Sequence, residues 1–347
     1  MKKRITALII LAAVLVLPAL AQEELRFATY QDMRAYIGKL YEEKKFAEAA
    51  QVLEKALAQF PDHLKANAIN LALMRVHLKE FDKAVQVLKT ALDRGIFFNK
   101  YDFRADLWAA FKELAAFKDF WARNEGIAAE AQKRAKPEMV VITPEGYDPG
   151  KKYPLFIALH GGGENIPAFK DNWKSDRLAK EFITAYLQSS RVIGVDSYNW
   201  TEDIEISKKE IVDAYRKILS RYPINEEDVM IGGFSSGAVA SIEVLLSGLI
   251  PTKGFIALCP AKPDGFSAET IRMAKKKGLC GVLLTTEMES GVRLGQQKDM
   301  DAIMTAAGFA HQFLITPNIG HWYPPDISHK IDAGIEFIRQ NQKKEKN

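Results

Sequence analysis

The sequence predicts an α/β fold, a mostly parallel sheet with helices on both faces, preceded by an all-helical region. Two observations predict it. From Glu23 to Ala135 the chain has one proline, Pro61, apolar residues at helical spacing, and no sustained strand-like alternation. After Pro137, short β-rich runs alternate with helical stretches, which is how parallel sheets covered on both faces are built. At 347 residues, 48% hydrophobic and 27% charged, the chain is neither disordered nor a small disulfide scaffold, and two domains can each bury a core.

In chain order, the first element is a leader. Lys2, Lys3 and Arg4 precede an uncharged apolar run from Ile5 to Leu20 and the small-x-small triplet Ala19-Leu20-Ala21. This is the pattern of a secretory signal peptide over 1–21; the run falls short of the ~20 residues that span a bilayer, and Pro18 interrupts it. Position 22 is Gln, so no lipid attachment site follows, and the expectation is export to a periplasmic or extracellular space with no stable membrane anchor after cleavage. Removing three of 48 basic residues against 44 acidic ones takes the formal charge from +4 to +1. With no basic stripe carrying aromatics, nucleic acid is excluded as a partner. Cys259 and Cys280 fall at opposite ends of two strand-like runs, roughly 15 Å apart at ~3.3 Å per residue, so two buried thiols are expected and not a disulfide.

Residues 22–135 form the helical region. Within it "KKFAEAAQVLEKALAQFP" and "KEFDKAVQVLKTALDRGI" superimpose at an offset of 35, pairing Phe46 with Phe81, Ala49 with Ala84, and Leu53 with Leu88. The period and the alternation of small Ala with bulky residues over Tyr30 to Ile96 resemble the tetratricopeptide repeat. Such a region binds a peptide or protein, or serves as a packing spacer. Phe98, Phe103, Trp108, Phe111 and Trp121 read as core at helical spacing, and His63 and His77 as surface or packing residues.

Residues 136–347 carry the alternating pattern. Strand-like runs are Met139–Thr143, Leu155–Leu159, Val192–Val195, Val229–Gly232, Phe255–Leu258, Gly281–Thr285 and His311–Ile315. Helical stretches are Ser175–Ser189, Ile204–Tyr222, Ala238–Leu246, Ala268–Lys277 and Asp299–Ala307. In such sheets, sites form at the C-terminal ends of the strands.

Three strand ends carry chemistry. Gly233-Phe234-Ser235-Ser236-Gly237 between a buried strand and a helix is a G-x-S-x-G elbow, which projects a nucleophilic Ser235 hydroxyl above the sheet. In "PLFIALHGGGEN" a strand ends in His160-Gly161-Gly162-Gly163, where glycines let main-chain N–H groups approach an oxyanion. Gly162 or Gly163 is the expected first donor and Ser236 the second, with His160 bracing the loop. "HQFLITPNIGHWYPPD" places His321 beyond the last strand, where the general base of this arrangement belongs, while His311 and His329 suit structural roles. The acid orienting His321 lies between serine and histidine; Glu289 is the first choice, with Glu287 and Asp264 as alternatives.

Residues 138–340 resemble the phospholipase/carboxylesterase group of α/β-hydrolases, through "YPLFIALHGGGEN", "VMIGGFSSGAVAS", "GFIALCP", "GVLLTTEME" and "GHWYPPD" in that order. The resemblance implies the α/β-hydrolase fold and ester hydrolysis through an acyl-enzyme without metal or cofactor, and the family commonly has Asp where Glu289 stands. An exported esterase acting on a small ester or an acylated carbohydrate is the expectation. A serine peptidase on the same fold, or an inert domain serving a repeat-mediated binding protein, are the alternatives.

Overall fold

A computed structural model describes residues 26–104 and 106–345, with side chains as far as 342. The expected leader at 1–21 lies outside the described residues. No helix among those described is long and apolar enough to cross a membrane. By contacts the chain forms two compact units, one ending at Ala84 and one running from Val85.

The first unit is helical: Tyr30–Glu42, Phe46–Gln59, Leu64–His77, and the beginning of Phe81–Asp93. Thr29 starts it with a capping box, its hydroxyl accepting from Asp32 N while the Asp32 carboxylate accepts from Thr29 N. Ala49, Ala50, Ala56, Ala68 and Ala72 are buried beside bulky Leu53, Leu71 and Met74, the mixture of small and large residues that packs paired helices. His63 stacks on Tyr30 at 3.5 Å and His77 on Phe46 at 4.0 Å, so both are packing residues.

The second unit begins inside the helix Phe81–Asp93 and includes the helices Trp108–Lys112 and Ala115–Arg134. The change of pattern at 135 is therefore a change of secondary structure, and the contacts divide the chain earlier. Phe98, Phe103, Trp108 and Phe111 are buried there, and Trp121 is half-buried. Gln132 ties this helical stretch to the α/β part, donating to Ser190 O (2.9 Å) and accepting from Val192 N (3.2 Å).

Nine strands follow among the described residues: β1 (Glu138–Ile142), β2 (Tyr153–Leu159), β3 (Ile183–Gln188), β4 (Val192–Gly194), β5 (Ser197–Tyr198), β6 (Ile224–Phe234), β7 (Thr252–Leu258), β8 (Cys280–Thr286) and β9 (Ala310–Thr316). Seven form one sheet in the order β1-β3-β2-β6-β7-β8-β9, with β1 antiparallel and the rest parallel; β4 and β5 make a separate small hairpin. Alternation along β2 divides the core. Leu155, Ile157 and Leu159 join Ile211, Ile218 and Met304 on one face, while Phe156 and Ala158 join Trp173, Ile331 and Ile335 on the other.

One expected helix is wrong. Of Ser175–Ser189 only Asp176–Glu181 is helical, capped by the Ser175 hydroxyl on Leu178 N, and the rest is β3. Every residue of β3 is buried because β1 and β2 flank it and helices cover it, so no period-2 alternation marks it as a strand. The expected strand at Val192–Val195 supplies the small hairpin and not a place in the main sheet. Cys259 and Cys280 are free and buried. The register sets Cys280 beside Gly254 and Leu284 beside Leu258, so the sulfurs lie toward opposite ends of the strand pair.

Candidate active site

Parallel pairing aligns the strand ends. Leu159 pairs with Gly233, Phe234 with Leu258, Leu258 with Leu284 and Thr286 with Thr316. The loops after β2, β6, β8 and β9 therefore open on the same edge, and the sequence motifs meet there.

Ser235 joins β6 to the helix Ser236–Ser247 with φ 52° and ψ −111°. A serine in the left-handed half of the map is strained, at a cost of about 1–3 kcal/mol, and the surrounding packing holds it there. That packing explains the flanking glycines. A Cβ on Gly233 would stand 2.2 Å from Leu159 O, and one on Gly237 would stand 2.3 Å from Leu159 O and 2.4 Å from His160 O. These obstacles are backbone atoms at the end of a buried strand and cannot rotate away. Gly237→Ala is thus expected to lower stability by more than about 3 kcal/mol, as overpacking at its severe end does. A thermal midpoint within a degree of wild type would contradict the close approach.

Above the turn, His321 Nε2 lies 2.9 Å from Ser235 Oγ, and His321 Nδ1 is hydrogen-bonded to Glu289 Oε2. The Glu289 side chain is almost fully buried; its other oxygen accepts from Ser290 N at 2.9 Å and lies 3.7 Å from Arg293 Nε. The other two acid candidates are elsewhere. Glu287 is exposed and accepts from Asn318 N at 3.0 Å, and Asp264 is an exposed loop residue. Burial lowers the His321 pKa from its ordinary 6.5, with the Arg293 charge acting in the same direction and Glu289 opposing both.

The glycine loop separates its candidates. Gly163 donates its N–H to Tyr198 O at 2.8 Å, so it is not available for an oxyanion, which corrects one of the two expected positions. Gly161 donates to Glu164 Oε2 at 2.7 Å. Gly162 N–H and Ser236 N–H, the latter at the first position of its helix, have no protein acceptor among the described residues. The two residues adjoin, since a Cβ on Gly162 would lie 3.4 Å from Ser236 Oγ. His160 is fully buried, with Nδ1 donating to Gly161 O (2.7 Å) and Nε2 accepting from Ser189 N (3.3 Å). Burial pushes its pKa down to about 4, so it is a neutral brace.

Two features escaped the sequence reading. Cys259, at the end of β7 with φ 50°, places its sulfur within 4.8 Å of the Glu289 and His321 donor atoms. Thiol, carboxylate and imidazole are donors that zinc accepts. Burial, however, pushes the thiol up to about 12, and Arg293 adds a positive charge beside Glu289. Both oppose a cation, and we assign no metal. The second is the helical stretch before the sheet, which touches the segment behind the glycine loop: Asn99 Nδ2 donates to Ile193 O at 3.1 Å and Lys100 pairs with Glu202 at 3.4 Å.

Comparison with known proteins follows the same division. The tetratricopeptide repeat family matches residues 40–95. A 128-residue stretch is 30% identical to mouse (Mus musculus) prolyl endopeptidase FAP, covering 35% of this chain but only 17% of that protein. An uncharacterised protein from Bacillus cereus has a similar structure over 90% of this chain and 99% of its own, at 23% identity and a TM-score of 0.51. Esterase PE8 aligns over 59% of this chain and 99% of its own, at 16% identity and a TM-score of 0.48. The chain thus joins a tetratricopeptide-repeat region to a domain of the α/β-hydrolase fold.

Proposed function

We propose that the protein is an exported serine hydrolase that cleaves carboxylic esters through Ser235, His321 and Glu289. The observation that carries this reading is the continuous link from Ser235 Oγ through the His321 ring to the buried Glu289 carboxylate, at the end of a strained turn. Neutral His321 takes the Ser235 proton as the oxygen attacks the ester carbonyl, and the oxyanion meets the N–H groups of Gly162 and Ser236. The imidazolium, held by Glu289, returns the proton to the leaving alcohol. His321 then activates water to release the acid.

The proposed substrate is a small ester or an acyl group on a carbohydrate, and no metal or cofactor enters the scheme. Export rests on the leader-like residues 1–21, and a peptide or protein partner on the repeats. A peptidase is the second reading, favoured by the stretch shared with prolyl endopeptidase FAP.

The deciding experiment treats the purified protein with a fluorophosphonate and compares turnover of aryl esters of increasing acyl length with that of aminoacyl amides. Labelling with faster ester turnover supports the esterase; faster amide turnover selects the peptidase; no labelling removes both. The pH profile offers a separate check. Only neutral His321 can act as base, so kcat/KM should fall on the acid side with a midpoint below 6.5. Arg293→Gln removes a charge that lowers this pKa and should move the midpoint up; a downward move would contradict the assignment of the limb to His321.

A further inference from the structure

Glu164 sits in the glycine loop after β2, yet its carboxylate turns inward. Gly161 N–H donates to Oε2 at 2.7 Å, and the Tyr323 hydroxyl lies 2.9 Å from Oε1 and 2.7 Å from Oε2. Gly161 precedes Gly162, which offers the free N–H, and Tyr323 is two residues beyond His321. One side chain therefore joins the loop bearing the oxyanion donor to the loop bearing the base.

The anchorage is firm at both ends. Glu164 N–H donates to Gly161 O and its carbonyl accepts from Tyr198 N, each at 3.2 Å. Tyr323 is buried, with its ring 4.5 Å from that of Phe234, the residue before Ser235. Among the described residues no cation pairs with Glu164; neutral donors hold it, and burial raises its pKa. Removing such an acceptor strands Gly161 N–H and frees the Tyr323 hydroxyl, so the two loops lose their common fixed point.

We propose that Glu164 is a positioning residue of the reaction: its carboxylate fixes the oxyanion loop against the His321 loop, so that the Gly162 N–H meets the oxyanion formed from the ester carbonyl while the imidazole addresses the Ser235 oxygen. The proposal rests on the serine-hydrolase reading. It differs from plain structural packing in predicting a loss in kcat that a carboxamide repairs.

The test measures kcat and KM for an aryl acetate, together with thermal midpoints, in Glu164→Ala, Glu164→Gln, Tyr323→Phe, the Ala/Phe double variant and Ser235→Ala. Displacement of reacting groups by about an ångström costs on the order of 100-fold, so Glu164→Ala should lose about that in kcat with KM within about twofold. In Glu164→Gln the amide oxygen can accept from Gly161 N–H and the amide nitrogen can donate to the Tyr323 oxygen. This variant should recover to within about fivefold of wild type, as expected of a hydrogen-bonding role. Tyr323→Phe should lose about tenfold, and the double variant should be no worse than Glu164→Ala alone, since both changes break one network.

Wild-type kcat in Glu164→Ala, a loss carried by KM, Gln as poor as Ala, or additive losses would each overturn the proposal. Should Glu164→Ala fail to fold, the tenfold loss in Tyr323→Phe and the recovery in Glu164→Gln decide it. Ser235→Ala separates the two readings. If it keeps wild-type turnover, the hydrolase assignment falls; if it is inactive while the Glu164 variants match wild type, only the brace falls.

Discussion

Ser235→Ala is expected to lower turnover of an aryl ester by at least about 10⁴-fold and to abolish labelling by a fluorophosphonate, the loss seen when a nucleophile that works as a unit with its base is removed. The chemical ground is direct. Among the described residues the only hydroxyl hydrogen-bonded to His321 is that of Ser235, at 2.9 Å, and removing it leaves the imidazole with no alcohol to activate. The same position makes a second, opposite prediction about stability. At φ 52° a β-carbon is strained, and glycine is not. Glycine normally costs about 0.5–1 kcal/mol relative to alanine through chain entropy, whereas relief of a strained backbone returns about 1–3 kcal/mol. Ser235→Gly should therefore melt above Ser235→Ala while being equally inactive. Residual turnover near wild type in either variant would remove Ser235 from the mechanism. A higher midpoint for the alanine variant would show that the turn is not strained.

How much of this was legible follows from what each signal depends on. The nucleophile turn announced itself because its glycines answer a local demand: both sit where Leu159 O leaves no room for a side chain, and such positions admit one residue type. The repeats were legible for a similar reason, since the matched alanines Ala49, Ala56, Ala84 and Ala91 are all buried, where packed helices admit only small residues. The strand β3 was not legible. Its run Ile183–Gln188 is covered on both faces and paired on both edges, so the environment that makes it a strand is supplied by distant segments. Glu164 was overlooked for the same reason. A carboxylate in a glycine loop reads as a solvated charge until the fold brings Tyr323 to it across 159 positions of sequence. Gly163 and Gly162 were equivalent by type, and only the pairing of Gly163 N with Tyr198 O told them apart.

Glu289→Gln is expected to lower kcat by about 10⁴-fold, and Glu287→Gln and Asp264→Asn to leave it within about threefold, because the acid of such a relay fixes the histidine tautomer. Glu289 accepts from His321 Nδ1, which places the proton there and leaves Nε2 free to take the Ser235 proton. A glutamine at 289 meets two demands it cannot both satisfy. With its oxygen toward Ser290 N and Arg293, as Glu289 Oε1 is now, the amide nitrogen faces Nδ1 and donates to it. The ring must then carry its proton on Nε2, where it blocks deprotonation of Ser235. Turning the amide over restores the tautomer but sets an NH₂ group against the Ser290 N–H and the Arg293 guanidinium, three donors with no acceptor between them. Either orientation also withholds the negative charge that stabilises the imidazolium during transfer, in a place where burial already disfavours that cation. The measurement is kcat for the three variants at a pH where wild-type His321 is neutral, with thermal midpoints alongside to exclude unfolding. A larger loss in Glu287→Gln or Asp264→Asn than in Glu289→Gln would transfer the role to that carboxylate. It would also require the loop after β8, or that after β7, to close differently over the strand ends.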